Sequence, residues 1–424
     1  MRRPGRVLLL YTKSIEIIVF SRRDDGCLCF HWFLPTNGDG RDIVGGGHGV
    51  ATGTAGAIRP ASLAYLGQIA RSAEQLGFEA ALTPTGAWCE DAWLTTAMLT
   101  EVTERLKFLV AFRPDLISPT LSAQMAATFQ RHSKGRLLLN VVTGGEAAEQ
   151  QAHGDFLDKK QRYARCGEFL DIVTRLWRGQ TVSHRGEHLR VEGARLARPA
   201  PVPGLYFGGS SPEAGPVAAR YADVYLTWGE PPAAVNTKLR WMDSLAREAG
   251  RTLRYGIRLH VITRDSSHEA WMQANRLIEG VDEAMIRTVQ EGLGRSESEG
   301  QRRMRDLHGG SPDNLEVSPN LWAGVGLLRG GAGTALVGSH VEVADRIEEY
   351  ARLGLSEFIL SGYPHLEEAY WFGEGVLPIL RSRGLWQHPD PDTLDNTLNV
   401  TPFAPTSGPL APPADRPRHP AAAS

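Results

Sequence analysis

Eight short apolar runs, each of six to eight residues, recur along most of the chain with amphipathic stretches between them. They are CLCFHWFL (27–34), EAALTP (79–84), KFLVAF (107–112), RLLLNVV (136–142), GLYFGG (204–209), DVYLTW (223–228), YGIRLHVI (255–262) and EFILSG (357–362). Runs of this kind suit strands buried on both faces of a parallel sheet. The stretches between them, among them SLAYLGQIARSAEQLG (62–77), TLSAQMAATFQRHSKG (120–135) and YARCGEFLDIVTRLWRG (163–179), have helical periodicity and end on a glycine suited to a helix C-terminus. Eight strands with intervening helices predict an α/β fold, the (β/α)8 TIM barrel. A doubly wound open sheet would need a glycine fingerprint opening a helix directly after its first strand. Here residues 38–60 instead form a long glycine-rich loop running into Pro60.

The barrel domain is placed at 28–388, preceded by an extension over 1–27 and followed by a Pro- and Ala-rich tail over 389–424 that has little to bury and is expected to be disordered. Between the seventh and eighth runs lies an insertion of about 263–356, too long for a plain connection. HEAWMQANRLIEG and DEAMIRTVQEGLG within it read as helices, whereas SPNLWAGVGLLRGGAGTALVG (318–338), dense in glycine and apolar residues, is expected to be a mobile lid. At the N-terminus basic residues precede an apolar run, but Lys13 and Glu16 interrupt it and no small-residue cleavage site follows, which argues against a secretory signal. No apolar stretch reaches the roughly 18 residues of a membrane span.

The 46 basic and 48 acidic residues are interspersed, so the chain has no charge footprint for nucleic acid or anionic lipid, and a small-molecule partner is expected. Four scattered cysteines fit neither a disulfide framework nor a spaced zinc site, and they suit a reducing cytoplasm. The CLC pair at 27–29 has no further ligand at metal spacing, and no metal is expected.

In a TIM barrel the chemistry sits at the C-terminal ends of the strands. The polar residues that fall there are Asn37, Cys89, Asn140, Thr143, Ser210, Ser211, Trp228, Glu230, Arg258, His260, Tyr363 and His365. Arg258 and His260 lie two apart and therefore share one face of an apolar strand. That pattern fits an arginine bridging to a core carboxylate, or an anion-binding arginine beside a proton-transfer histidine. YFGGSSPEAG offers glycine N–H groups, the Ser210 and Ser211 hydroxyls and a helix start, an arrangement suited to phosphate or equally to an ordinary capped turn. Cys89 sits next to two carboxylates, Glu90 and Asp91, that raise rather than lower a thiol pKa, which argues against a nucleophile.

Taken in order, FHWFLPTNGDG, GAWCEDAW, LKFLVAFRPDLISPT, LLNVVTGG, LYFGGSS, DVYLTWGEPP, YGIRLHVI, SPNLWAGVGLLRGGAGTALVG and SGYPHLEEAY resemble the FMNH2-dependent alkanesulfonate monooxygenases of the bacterial luciferase-like flavin enzymes. The resemblance runs from about Phe30 to about Phe372. It implies a homotetrameric TIM-barrel enzyme. Reduced FMN comes from a separate NAD(P)H-dependent FMN reductase and reacts with O2, and an alkanesulfonate is cleaved to an aldehyde and sulfite for sulfur acquisition. It also implies catalytic parts for Arg258, His260, Arg329, Tyr363 and His365, with Arg258, Arg329 and Trp228 at the substrate. Cys89, Asn140, Thr143, Tyr163, Gly209, Ser210 and Ser211 would hold the flavin and its phosphate. His260 is then the expected proton-transfer group, and Arg329 the arginine carried on the lid.

Two departures stand out. Asn37 occupies a position where the family commonly has histidine, and the 38–60 loop is unusually long. A luciferase-like monooxygenase acting on another substrate, such as a sulfone or methanesulfonate, and a non-catalytic flavin- or sulfonate-binding protein are the alternative readings.

Overall fold

The computed structural model describes residues 26–43, 58–114, 116–198 and 200–390. Nearly all of the N-terminal extension, the tail and most of the glycine-rich loop therefore lie outside the described residues. Strands β1 (Cys29–Phe33), β2 (Ala80–Thr83), β3 (Lys107–Phe112), β4 (Leu137–Val141), β5 (Gly204–Gly208), β6 (Val224–Trp228), β7 (Arg254–Arg264) and β8 (Glu357–Ser361) coincide with the eight apolar runs. They pair in parallel in that order, and β8 returns to β1 with Glu357 opposite Cys29, which closes an eight-stranded barrel. The TIM-barrel expectation is met.

Alternation along the strands sorts the side chains. Phe33, Leu82, Leu109, Tyr206, Leu226 and Ile359 pack together inside the barrel. Phe30, Trp32, Phe108, Val110, Phe207 and Leu360 belong to the larger apolar cluster that joins sheet and helices. Each such burial stabilises the fold by about 1.5–3 kcal/mol. The helices Leu63–Gln75, Pro119–His132 and Lys159–Trp177 begin where Ser62, Ser118 and Asp158 accept a backbone N–H through their side chains, so local caps set the crossover starts.

The lower end of the barrel holds a buried carboxylate. Glu357 accepts hydrogen bonds from His31 Nε2 at 3.0 Å and from the Tyr206 hydroxyl at 2.6 Å, and it forms an ion pair with Arg254. Burial opposes the charge on Glu357, but His31, Arg254 and Tyr206 outweigh it and hold the carboxyl down to about 2.

At the other end β7 runs past the barrel rim. Its residues up to Arg258 pair with β6 and those from Gly256 to His260 with β8, and its last residues, His260 to Arg264, pair with the strand Ala335–Ser339 of the insertion. The insertion contains the helices Ser267–Arg276 and Glu283–Leu293 that the sequence announces, and a third, Glu299–His308. The stretch expected to be a mobile lid contains regular elements. It holds the strand Leu321–Trp322, the helical turn Val325–Leu328 and the strand Ala335–Ser339, leaving 329–334 as the irregular segment.

Candidate active site

A cleft opens at the C-terminal ends of the strands. Its floor is apolar, made by Phe33, Leu82, Ala111, Leu226 and Ile359, and two guanidinium groups stand in its wall. Arg258 comes from β7 and Arg329 from the loop after Val325–Leu328. Both are buried, and both lie against the Phe33 ring, 4.8 Å and 5.8 Å from its centroid. Arg258 donates to Leu259 O at 2.5 Å and to Ser361 Oγ at 2.9 Å, and Arg329 donates to the Tyr363 hydroxyl at 2.7 Å. Among the described residues neither makes an ion pair with a carboxylate, so the bridge to a core acid that the sequence left open is not formed. Burial, then the neighbouring Arg329 cation, press Arg258 down to about 9, which leaves it charged at neutral pH. Two neighbouring guanidiniums without a carboxylate among the described residues make a seat suited to an anion.

The other expected catalytic residues lie behind that wall. His260 is fully enclosed, with Nδ1 2.8 Å from Ser361 Oγ and Nε2 3.1 Å from Ala332 O. Burial and the charges of Arg258 and Arg329 hold the imidazole well below its ordinary pKa, so it is neutral. Tyr363 stacks on His260 with ring centroids 5.6 Å apart, and His365 meets Tyr363 edge-on at 5.1 Å. None of the three side chains, for which the sequence predicts proton transfer by His260 with Tyr363 and His365 in support, belongs to the cleft wall; Tyr363 meets it through its contact with Arg329. The physical reason is the length of β7: Arg258 and His260 share a face, but His260 sits one step higher, under the insertion.

His365 leads to a residue that sequence reasoning missed. Asp39 is fully buried and accepts from His365 Nδ1 and N, each at 2.9 Å, and from the Tyr65 hydroxyl at 2.6 Å. Burial opposes its charge, and these partners prevail and keep its pKa lowered. Asp39 thereby ties the turn after β1 to the turn after β8. Its signal in the sequence is the aspartate of the NGDG motif, two residues after Asn37.

The opposite wall is a cradle of hydroxyls and backbone. Asn140, Thr143, Tyr163, Gly209, Ser210 and Ser211 all line the cleft, with Lys159 at its edge. The Tyr163 hydroxyl bonds the side chains of Thr143 and Ser211, and Tyr225 bonds Ser210 while donating to Gly209 O at 2.7 Å. A Cβ on Gly209 would lie 2.8 Å from that of Ala214, so glycine alone lets the turn approach the helix Ala214–Tyr221 this closely. Glu213 shares the turn, bonded by Ser211 and offset by Lys159 and Lys160. Among the described residues Asn140 Oδ1, buried on the cleft wall, has no hydrogen-bond partner, and such an atom suits a ligand donor.

Cys89 does not join them. Pro84, Thr85 and Trp88 line the cleft, while the Cys89 thiol turns to Gly86 O at 3.5 Å and Pro84 O at 3.7 Å. Burial pushes that thiol up to about 12, so it is protonated and no nucleophile.

A sequence model of the luciferase-like monooxygenases matches residues 29–357. The chain belongs to that family. Its fold is similar to that of a riboflavin lyase solved with modified FMN and riboflavin, at 20% identity and a TM-score of 0.71 over 88% of this chain and 96% of that one. It is also similar to an EDTA monooxygenase from Chelativorans sp. BNC1, at 18% identity and 0.67 over 87% and 97%. A long-chain alkane monooxygenase aligns at 20% identity and 0.66 over 88% and 96%.

In this luciferase-like monooxygenase the insertion supplies one rim of the cleft through Glu297, Ser298, Glu299 and Gly300. Glu297 N donates to Gly145 O at 2.9 Å and its carboxylate pairs with Arg162 at 2.6 Å, which fastens the rim to the barrel. Trp228, opposite Arg258 in the β6–β7 register, packs against Gly300, where a Cβ would come within 3.0 Å of the indole ring. Behind it Lys238, a buried cation, pairs with Glu230, so this lysine, unlike the two arginines, has its counter-charge. No helix among the described residues is long and apolar enough to cross a membrane.

Proposed function

We propose that this luciferase-like monooxygenase is a two-component alkanesulfonate monooxygenase. The observation that carries the reading is the pair of buried guanidiniums that meet no carboxylate among the described residues and stand over an apolar floor. A sulfonate is a permanent tetrahedral anion. In an enclosed site it needs fixed cations with forked donors, and its alkyl chain needs apolar wall. Arg258 and Arg329 supply the first, and Phe33, Leu226 and Ile359 the second.

The cleft also fits FMN. The phosphate would be held by Gly209, Ser210 and Ser211 with Tyr163 and Thr143, and Asn140 would take a donor of the ring system into its unpartnered Oδ1. When bound, reduced FMN supplies the two electrons that activate O2. A separate NAD(P)H-dependent FMN reductase would deliver it, and the working assembly would be a homotetramer in the cytoplasm. In the overall reaction the C–S bond breaks, one oxygen atom of O2 enters the aldehyde, the other leaves as water, and sulfur departs as sulfite. The protein's part is to hold the sulfonate between Arg258 and Arg329, to place its α-carbon over the floor, and to exclude water that would divert the reaction to hydrogen peroxide.

The test is direct. Purified protein with a flavin reductase, FMN, NAD(P)H, O2 and a graded series of alkanesulfonates should release sulfite. Absence of sulfite across short and long chains, with FMN binding demonstrated, would refute the reading.

A further inference from the structure

The geometry points to His260 and Ser361 as a positioning pair: together they latch the Arg329-bearing loop onto the barrel and orient Arg258, and they transfer no proton to substrate. This rests on the proposed sulfonate reading only for its activity measurement.

A chain of hydrogen bonds joins the two arginines' supports. Arg258 Nη2 donates to Ser361 Oγ at 2.9 Å, Ser361 Oγ lies 2.8 Å from His260 Nδ1, and His260 Nε2 lies 3.1 Å from Ala332 O. The direction of every bond follows from the inventory of donors. A guanidinium only donates, so Ser361 Oγ accepts from Arg258 and its single proton is left for His260 Nδ1. A carbonyl only accepts, so Nε2 carries the imidazole proton. Both ring nitrogens are thereby committed, and the neutral tautomer is fixed from both sides. The enclosure of the ring and its two cationic neighbours favour the same neutral form.

The far end of the chain is the loop that carries Arg329. Its neck is closed where Gly326 N donates to Gly333 O at 2.9 Å, and a Cβ on Gly333 would sit 2.8 Å from Gly326 Cα, so the two backbones meet directly. The insertion holds the loop from outside: Gln290 donates to Gly326 O at 2.9 Å, and Gln301 Oε1 accepts from Gly331 N at 2.9 Å. From the barrel side Tyr363 holds the Arg329 side chain, the His260 side chain holds Ala332 O, and the end of the loop is fixed by His260 N donating to Thr334 O at 2.8 Å and by the Thr334 hydroxyl donating to Gly229 O at 2.6 Å, two bonds that substitution of the imidazole leaves in place. His260 is thus placed to set where the loop, and with it Arg329, comes to rest. Ser361 keeps the imidazole turned the right way.

Paired substitutions separate a latch from a proton donor. In His260→Gln the amide reaches the position of Nε2 and can donate to Ala332 O, whereas in His260→Asn it stops near Nδ1 and cannot. Amide hydrogen exchange across 326–334 in the full-length protein reads the latch without reference to any substrate. Exchange is expected to rise about tenfold in His260→Asn, the size of one lost buried hydrogen bond, and to return most of the way to wild type in His260→Gln. Ser361→Ala, a small change that spares the fold if His260→Asn does not, should raise exchange by a lesser factor. In the sulfite assay the KM for sulfonate should rise more than kcat falls, with Gln recovering most of what Asn loses. Equal inactivity of Gln and Asn with wild-type loop protection would overturn the latch in favour of proton transfer by the imidazole. The expected exchange pattern in a protein that releases no sulfite would leave the latch standing and remove the sulfonate reading.

Discussion

The two ends of this barrel treat buried charge in opposite ways. At the lower end Glu357 is matched within the fold by His31, Tyr206 and Arg254. At the upper end Arg258 and Arg329, also buried, share a phenyl ring and no carboxylate among the described residues. A buried charge without its opposite is costly, and a fold keeps one only where something outside the chain completes it. The lower end therefore reads as stability and the upper end as binding, the division expected of a TIM barrel.

Glu357→Gln should break the lower end most severely. It leaves His31 and Arg254 without the carboxylate, and removing one member of a buried pair costs about 3–5 kcal/mol of folding stability. The effect is to be seen in thermal melts, with kcat/KM of the folded enzyme unchanged. Acid unfolding adds a signed test. The folded-state pKa of Glu357 is lowered, to about 2, so its contribution is fully present above the ordinary carboxylate range and is lost as pH falls through it toward that value. The wild-type melting temperature should drop along that descent, and the Gln variant should descend less steeply. Parallel slopes would show that Glu357 does not carry this part of the stability.

Arg258→Met makes the opposite break. Loss of a charge-assisted contact to the bound anion should cost about 2–5 kcal/mol in kcat/KM for sulfonate, roughly thirtyfold to several thousandfold. The melting temperature should hardly move, because an apolar side chain of similar length replaces a buried charge pressed by Arg329. A variant with lowered stability and undiminished turnover would reverse the assignment of the two ends.

How much of this contrast the sequence reveals depends on the range of the interactions. The strands were legible because burial on both faces leaves continuous apolar runs, and helix starts such as those at Ser62 and Ser118 carry their own local cap. Arg258 was conspicuous as a cation inside such a run. The layer behind it was not. His260 and Ser361 meet across a sequence separation of 101, and Asp39 and His365 across 326, so no local pattern shows that these side chains commit each other's hydrogen bonds. The same holds for Glu357, which as a sequence is one acid at the start of an apolar run. Whether a buried charge is matched is decided by tertiary contacts, and that is the property separating the two ends. The glycine density of 318–338 has a source of the same kind: close backbone crossings such as Gly326 on Gly333 require it.

The smallest effect sharpens the comparison within the upper end itself, between its anion seat and its cradle. Gly209→Ala places a methyl group 2.8 Å from Ala214 Cβ and 3.3 Å from the Tyr163 hydroxyl, two groups held by a helix start and by a shared hydroxyl network. Overpacking of this kind costs about 1–3 kcal/mol, which here should fall on the turn that approaches the phosphate. FMN affinity, measured by flavin fluorescence quenching, should weaken roughly tenfold. Riboflavin, which has the same ring system and no phosphate, should bind the variant and the wild type alike. Equal weakening of both flavins would mean that the turn at Gly209 supports the ring rather than the phosphate. The cradle and the two arginines would then compete to explain the phosphate, and Arg258 and Arg329 would have a second candidate anion to hold.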